Sequence, residues 1–85
     1  MMTPTPPIQE TTPLHDEVKK AVESYLMHLN GENTTNMYEI FLHELERPLL
    51  VTVMRHTRNN QSKAAQMLGL NRGTLRTKLK THVLL

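Results

Sequence analysis

The stretch that decides the fold runs from Asn60 to Thr81 and reads NQSKAAQMLGLNRGTLRTKLKT. Asn60 suits the cap of a helix QSKAAQML, because its side chain can accept from an otherwise orphaned backbone N–H. Gly69 follows where the chain must turn through a left-handed conformation that glycine adopts without steric cost. Asn71 can then cap a second helix, RGTLRTKLKT. Ala65, four residues before Gly69, is small enough to let the two helices cross closely. Leu68, Leu70, Leu75 and Leu79 can pin the pair, the last two from one helical face. A short glycine-containing turn between two helices is the pattern of a DNA-reading helix-turn-helix. Gln61, Ala65, Gly69 and Leu75 carry that pattern together, and none would carry it alone. The plainer reading is an αα-hairpin with a solvated basic face, and the charge distribution argues against it.

The net charge of +2 hides a segregation. All eight acidic residues lie at or before Glu46, opposed there only by Lys19 and Lys20. From Arg47 onward come Arg47, Arg55, Arg58, Lys63, Arg72, Arg76, Lys78 and Lys80, with no acid. An acid-free basic half that holds a helix pair is an electrostatic footprint for phosphate backbones. An anionic membrane surface would also attract it, but Leu75, Leu79 and a short apolar tail give too little area to insert.

The chain has 85 residues, 38% of them hydrophobic, with one Phe, two Tyr and no Trp. That is one domain with a thin core, of the size that often completes itself by pairing with a second copy. The absence of cysteine excludes a disulfide scaffold and a thiolate zinc site. No apolar run approaches the roughly 18 residues that span a bilayer, and a signal peptide's basic start and apolar middle are missing. A soluble cytoplasmic protein is the expectation.

Residues 1–13 hold four of the five prolines and one sizeable aliphatic, Ile8, so residues 1–12 are expected to form a disordered or extended arm. A first helix is expected from Thr12 as cap, with Pro13 at its first position and Asp16 and Glu17 in its first turn. Leu14, Val18, Ala21, Tyr25 and Leu29 recur at helical spacing, and Asn30-Gly31 stops the run. Asn36 and Glu39 have the spacing of a capping box for a second helix, Met37 to about Thr57. The apolar set of that helix covers more than one face, with Leu42, Leu45, Leu49 and Val53 in phase across Pro48. One chain of this size has too few other apolar groups to cover it, so a homodimer is expected with Leu45, Leu49 and Val53 in its core. Pro48 is expected to kink the helix without ending it.

At about 100° per residue, Leu75 and Leu79 point inward and Gly73, Thr77 and Lys80 point away. Arg72 at the start of that helix is the candidate base reader, because its fork fits guanine O6 and N7. Asn71 is a cap first and a candidate base contact second. Thr74, Arg76, Lys78 and Lys80 suit phosphates, and Asn60 and Ser62 at the preceding helix start suit another. No two of His15, His28, His43, His56 and His82 have helical metal-site spacing, so they are read as surface histidines. Neither a metal, a cofactor nor a catalytic grouping is expected.

From Leu14 to Thr81 the chain resembles the Fis family of small bacterial nucleoid-associated DNA-binding proteins. The stretches YEIFLHELERPLL and NQSKAAQMLGLNRGTLRTKLK, with LNGE before them, carry the likeness, and RGTLR after GLN is its most specific part. The same segment is shared by the DNA-binding ends of NtrC-type enhancer-binding activators. Those follow a large ATPase, whereas a chain opening on Met with two upstream helices is expected to stand alone.

The resemblance implies an all-α, four-helix protomer in an intertwined homodimer. Residues 13–58 would form the dimerisation core and 59–85 the helix-turn-helix unit. It further implies a bacterial, nucleoid-associated regulator of transcription and chromosome organisation that bends duplex DNA at degenerate A/T-centred sites. RNA polymerase or another part of the transcription machinery is the candidate further partner. By position, Asn71 and Arg72 would meet base edges, and Asn60, Ser62, Thr74 and Arg76 would clamp phosphates. Arg58, Lys78 and Lys80 would meet backbone or flanking DNA.

Three positions depart from the family pattern: Thr77 and Thr81 stand where its best-known members have lysines, and Asn59 where they have glycine. The proline-rich arm does not resemble the family's mobile hairpin, so stimulation of DNA inversion is not expected. The rival readings are a helical dimeric protein-interaction module and an RNA binder, the latter disfavoured by the narrow groove of A-form RNA.

Overall fold

A computed structural model describes residues 12–85 as four helices: α1 (Pro13–Met27), α2 (Met37–His56), α3 (Gln61–Leu68) and α4 (Arg72–Thr81). The expected arm lies almost wholly outside the described residues. The chain divides into two compact units, with α1 in the first and α2, α3 and α4 in the second, which begins at Thr35.

Helix α1 starts as its sequence requires. The Thr12 hydroxyl accepts from the His15 N–H at 3.1 Å, and Pro13 occupies the first turn. The helix stops at Met27, three residues short of Asn30-Gly31, so Leu29 lies beyond it. Asn30 and Gly31 shape the turn that follows, both with positive φ.

Helix α2 continues unbroken through Pro48. A proline there removes one hydrogen bond and crowds the carbonyl four residues back, a cost of about 3 kcal/mol in an isolated helix. Burial within the next two turns offsets it, because Leu50 and Met54 enter the core. The expected capping box is absent: Asn36 makes no side-chain cap bond, its backbone being at φ −132° and ψ 32°. That geometry departs from the extended backbone in which a cap side chain reaches forward.

The core of the second unit is small and shared by three helices: Leu50 and Met54 of α2, Ala64 and Ala65 of α3, and Leu75 and Leu79 of α4. Val53, Leu68 and Leu84 pack against it. Three consecutive helix ends use one device. The N–H of Asn59 bonds Met54 O and that of Arg58 bonds Arg55 O, closing α2. Leu70 bonds Ala65 and Gly69 bonds Gln66 at the end of α3, while Leu84 bonds Leu79 and Val83 bonds Lys80 at the end of α4. Each is a Schellman turn, which needs a left-handed residue after the helix. Gly69 meets that need freely at φ 77°; Arg58 (φ 55°) and Val83 (φ 58°) meet it under strain, the β-branched valine most.

Candidate nucleic-acid interface

The helix pair forms where its caps place it. Asn60 Oδ1 accepts from the Lys63 N–H at 3.0 Å, and Asn71 Oδ1 accepts from the Thr74 N–H at 2.7 Å. Each cap is worth about 1 kcal/mol. Ala65 is buried beside the Gly69 turn, and Leu75 and Leu79 are buried against α2 and α3. The apolar side of α4 is thereby fixed, and its opposite side is fixed with it.

That opposite side presents Arg72, Gly73, Arg76, Thr77 and Lys80, all exposed, with Thr74 and Lys78 half-buried at its edge. Asn71, Gly73, Thr74, Thr77 and Lys78 line a shallow hollow along it. Arg76 does not hang free: its Nη1 donates to Gln61 Oε1 at 3.0 Å, tying α4 to the first residue of α3. This holds one guanidinium at the helix-pair junction, where Asn60 and Ser62 are also exposed. Arg58 is exposed in the preceding turn, beside Asn59, whose φ of 65° is the left-handed geometry expected where the family has glycine. Arg72, Arg76 and Lys80 therefore share one surface.

Lys78 behaves differently. Its Nζ lies 2.7 Å from Glu46 Oε2, an ion pair that reaches back to α2. Acid-free in sequence is thus not acid-free in space. The reading of His82 as a surface histidine is also corrected. His82 is 2% exposed, its Nε2 lies 3.0 Å from Glu46 Oε1, and its ring stacks on His43 with centroids 4.2 Å apart. The Schellman turn after α4 folds the chain back on α2 and takes His82 inside. Two sets of contacts thus escaped sequence reasoning, Gln61–Arg76 and Glu46–Lys78–His82. Only the first left a signal, since Gln61 already stood out in the motif.

The hydrogen bond from Lys78, and next that from His82, holds the Glu46 carboxyl below its ordinary 4.5 against the opposing effect of burial. A group with a depressed pKa in the folded state stabilises the fold above its unfolded value. It loses that contribution as pH falls through the folded one. Below about pH 4.5, wild-type stability should therefore fall more steeply than that of Glu46→Gln. Urea midpoints between about pH 7 and 3 check this, and parallel curves would refute the linkage.

A second surface lies on α2. At ~100° per residue, His43, Glu46, Arg47, Leu50 and Met54 share the side facing α3 and α4. Tyr38, Leu42, Leu45 and Leu49 form another stripe about a third of a turn away. Those three leucines are 40%, 45% and 52% exposed, while Val53 is half-buried in the shared core. No helix among the described residues is long and apolar enough to cross a membrane, and no group of three potential metal ligands occurs among them.

Comparison with known proteins gives two family matches. Residues 41–82 match the model described as "Bacterial regulatory protein, Fis family", and residues 2–34 match that of the "DNA-binding protein Fis N-terminal domain". The likeness thus extends upstream of Leu14 into the proline-rich stretch. Among similar curated proteins is the DNA-binding protein Fis of Mannheimia haemolytica, 55% identical over 74 residues, which are 87% of this chain and 76% of that protein. A putative Fis-like DNA-binding protein of Pseudomonas aeruginosa is 53% identical over 81 residues, 95% of this chain and 78% of that one. The DNA-binding protein Fis of Vibrio cholerae is 54% identical over 70 residues, 82% and 71% of the respective chains.

Proposed function

This chain belongs to the Fis family, and from that membership we propose that it is a nucleoid-associated protein that binds and bends duplex DNA as a homodimer. The single observation that carries the reading is the exposed face of α4. Arg72 stands at its N-terminal end beside the Asn71 cap, and Arg76 is pre-set by Gln61. Arg72 reads guanine through its fork, and Asn71 can add a base-edge contact from its amide nitrogen while its oxygen caps the helix. Asn60, Ser62, Thr74 and Arg76 hold phosphates, with Arg58 and Lys80 on backbone or flanking DNA. Thr77 and Thr81, uncharged, weaken the flanking contacts and the salt slope relative to lysines at those positions.

The exposed leucine stripe on α2 supports the dimer. Leu45 and Leu49 bury themselves against a second copy, with Val53 at the margin, so residues 13–58 serve pairing and 59–85 serve DNA. Two-fold symmetry then duplicates the reading face. With the two reading helices closer than one straight helical turn, as family membership implies, a duplex that touches both must curve, so A/T-centred sites that bend cheaply are preferred. Such a protein acts on the bacterial chromosome in the cytoplasm, regulates transcription without catalysis, and meets the transcription machinery there.

Fluorescence anisotropy with duplex DNA at about 0.15 M salt tests the reading. Arg72→Ala should cost roughly 1–3 kcal/mol on guanine-flanked sites and relax the preference for those guanines. Equal losses on specific and random duplexes would remove Arg72 from base reading. Lys80→Ala should instead weaken all sequences alike and lower the salt slope of the dimer by about 1.8, about 0.9 for each copy. Duplex RNA competing as well as duplex DNA, or no binding to either, would sink the assignment in favour of an RNA binder or a protein-interaction module.

A further inference from the structure

We propose that Glu46 is a positioning residue for DNA reading: with Lys78 and His82 it locks the C-terminal turn of α4 onto α2 and so sets the angle of the reading helix. The inference rests on the DNA-binding reading above and deepens it.

Three residues of one α2 face converge on that turn. Both carboxylate oxygens of Glu46 are engaged, Oε2 by Lys78 Nζ at 2.7 Å and Oε1 by His82 Nε2 at 3.0 Å. His43 stacks on the His82 ring at 28° between planes, and Arg47 Nη1 donates to the His82 carbonyl. The imidazole is fully enclosed, and its Nδ1 finds no partner among the described residues. A buried unpaired nitrogen is costly, so the bond to Glu46 is the polar anchor that keeps this ring inside. Val83, next in the chain, holds its left-handed φ of 58° while Leu84 packs on the core. A strained turn persists where its surroundings over-determine it.

The consequence concerns Lys78. Its charge is already met within the protein, and it lies at the edge of α4 toward α2. It therefore orients the helix and does not neutralise a phosphate. In a dimer joined along α2, the angle between α2 and α4 decides how far apart the two reading helices stand. Glu46 then acts on the choice between curved and ordinary DNA, and much less on overall grip.

The double variant Glu46→Gln with Lys78→Met keeps the net charge of the wild type, which makes its salt dependence directly comparable. On generic duplex its salt slope should equal that of the wild type. Its preference for a curved A/T-centred duplex over the generic one should fall about three- to tenfold. Each single variant should lose the same preference, the double should lose no more than either, and Lys78→Arg should retain it. A slope lower by about 1.8 in the double variant, about 0.9 for each copy, would make Lys78 a phosphate contact and overturn the inference, as would losses that add. Helicity and urea midpoints verify folding. Should Glu46→Gln alone fail to fold, the double variant and Lys78→Arg, which both keep the net charge, decide in the same sense. A wild type that binds neither duplex overturns the DNA reading itself, whereas wild-type binding with a slope loss overturns this inference alone.

Discussion

Leu75→Ala is expected to lower the stability of the chain by about 2–5 kcal/mol. Leu75 has no exposed surface and stands where α4 crosses the other two helices of its unit. The core there contains only six buried hydrophobic residues, two of them alanines, so the cavity has few large neighbours to collapse into it. Small domains hold only about 5–15 kcal/mol in all, and one such deletion removes much of that margin. Urea unfolding should show a lower midpoint at an unchanged slope. DNA affinity should fall only as far as the folded fraction falls. A shift below about 1 kcal/mol would mean that α4 is held by something other than this core.

Leu49→Asp is the second large effect. The residue is 52% exposed in the single chain, and Leu42 and Leu45 extend the same stripe. A charge there leaves the Leu50 core untouched, so helicity should be kept. In the proposed pairing, each copy would lose about 0.8–1.5 kcal/mol of leucine burial, since about half the side chain is still exposed, and would bury a carboxylate without a partner. The loss counts twice by symmetry, which weakens self-association by on the order of a hundredfold or more. DNA affinity should fall with it, because a single reading helix cannot exploit a two-fold site. An unchanged dimer would move the interface elsewhere on the chain.

The helix pair was legible in sequence because its signals are local. A cap residue acts on an N–H three residues away, and Gly69 acts on carbonyls in the turn just completed. The continuity of α2 across Pro48 was legible for a related reason, since apolar phase on both sides reports burial. Asn36 shows the limit even of local rules: the spacing to Glu39 fits a capping box, yet the backbone before α2 is not extended and the bond is not made. Arg58 shows another. A left-handed residue was expected at Asn59 alone, but the Schellman turn places Arg58 there as well.

The Glu46 cluster was illegible for a different reason. Its partners lie 32 and 36 residues away, and nothing near Lys78 or His82 marks either as paired. A histidine after a basic helix reads as solvated until a turn folds it back on another helix. Charge segregation along the chain pointed to a basic surface, of which Arg72, Arg76 and Lys80 share one face, while hiding that the last acid before it, Glu46, reaches across to that face's edge.

The most direct test of the central claim, that paired copies of one basic helix face grip a curved duplex, is the mass of the protein–DNA complex. Light scattering on an A/T-centred duplex about three helical turns long, at about 0.15 M salt, should find two chains per duplex and no population with one. A complex of one chain per duplex, or none formed at that salt, would contradict the account.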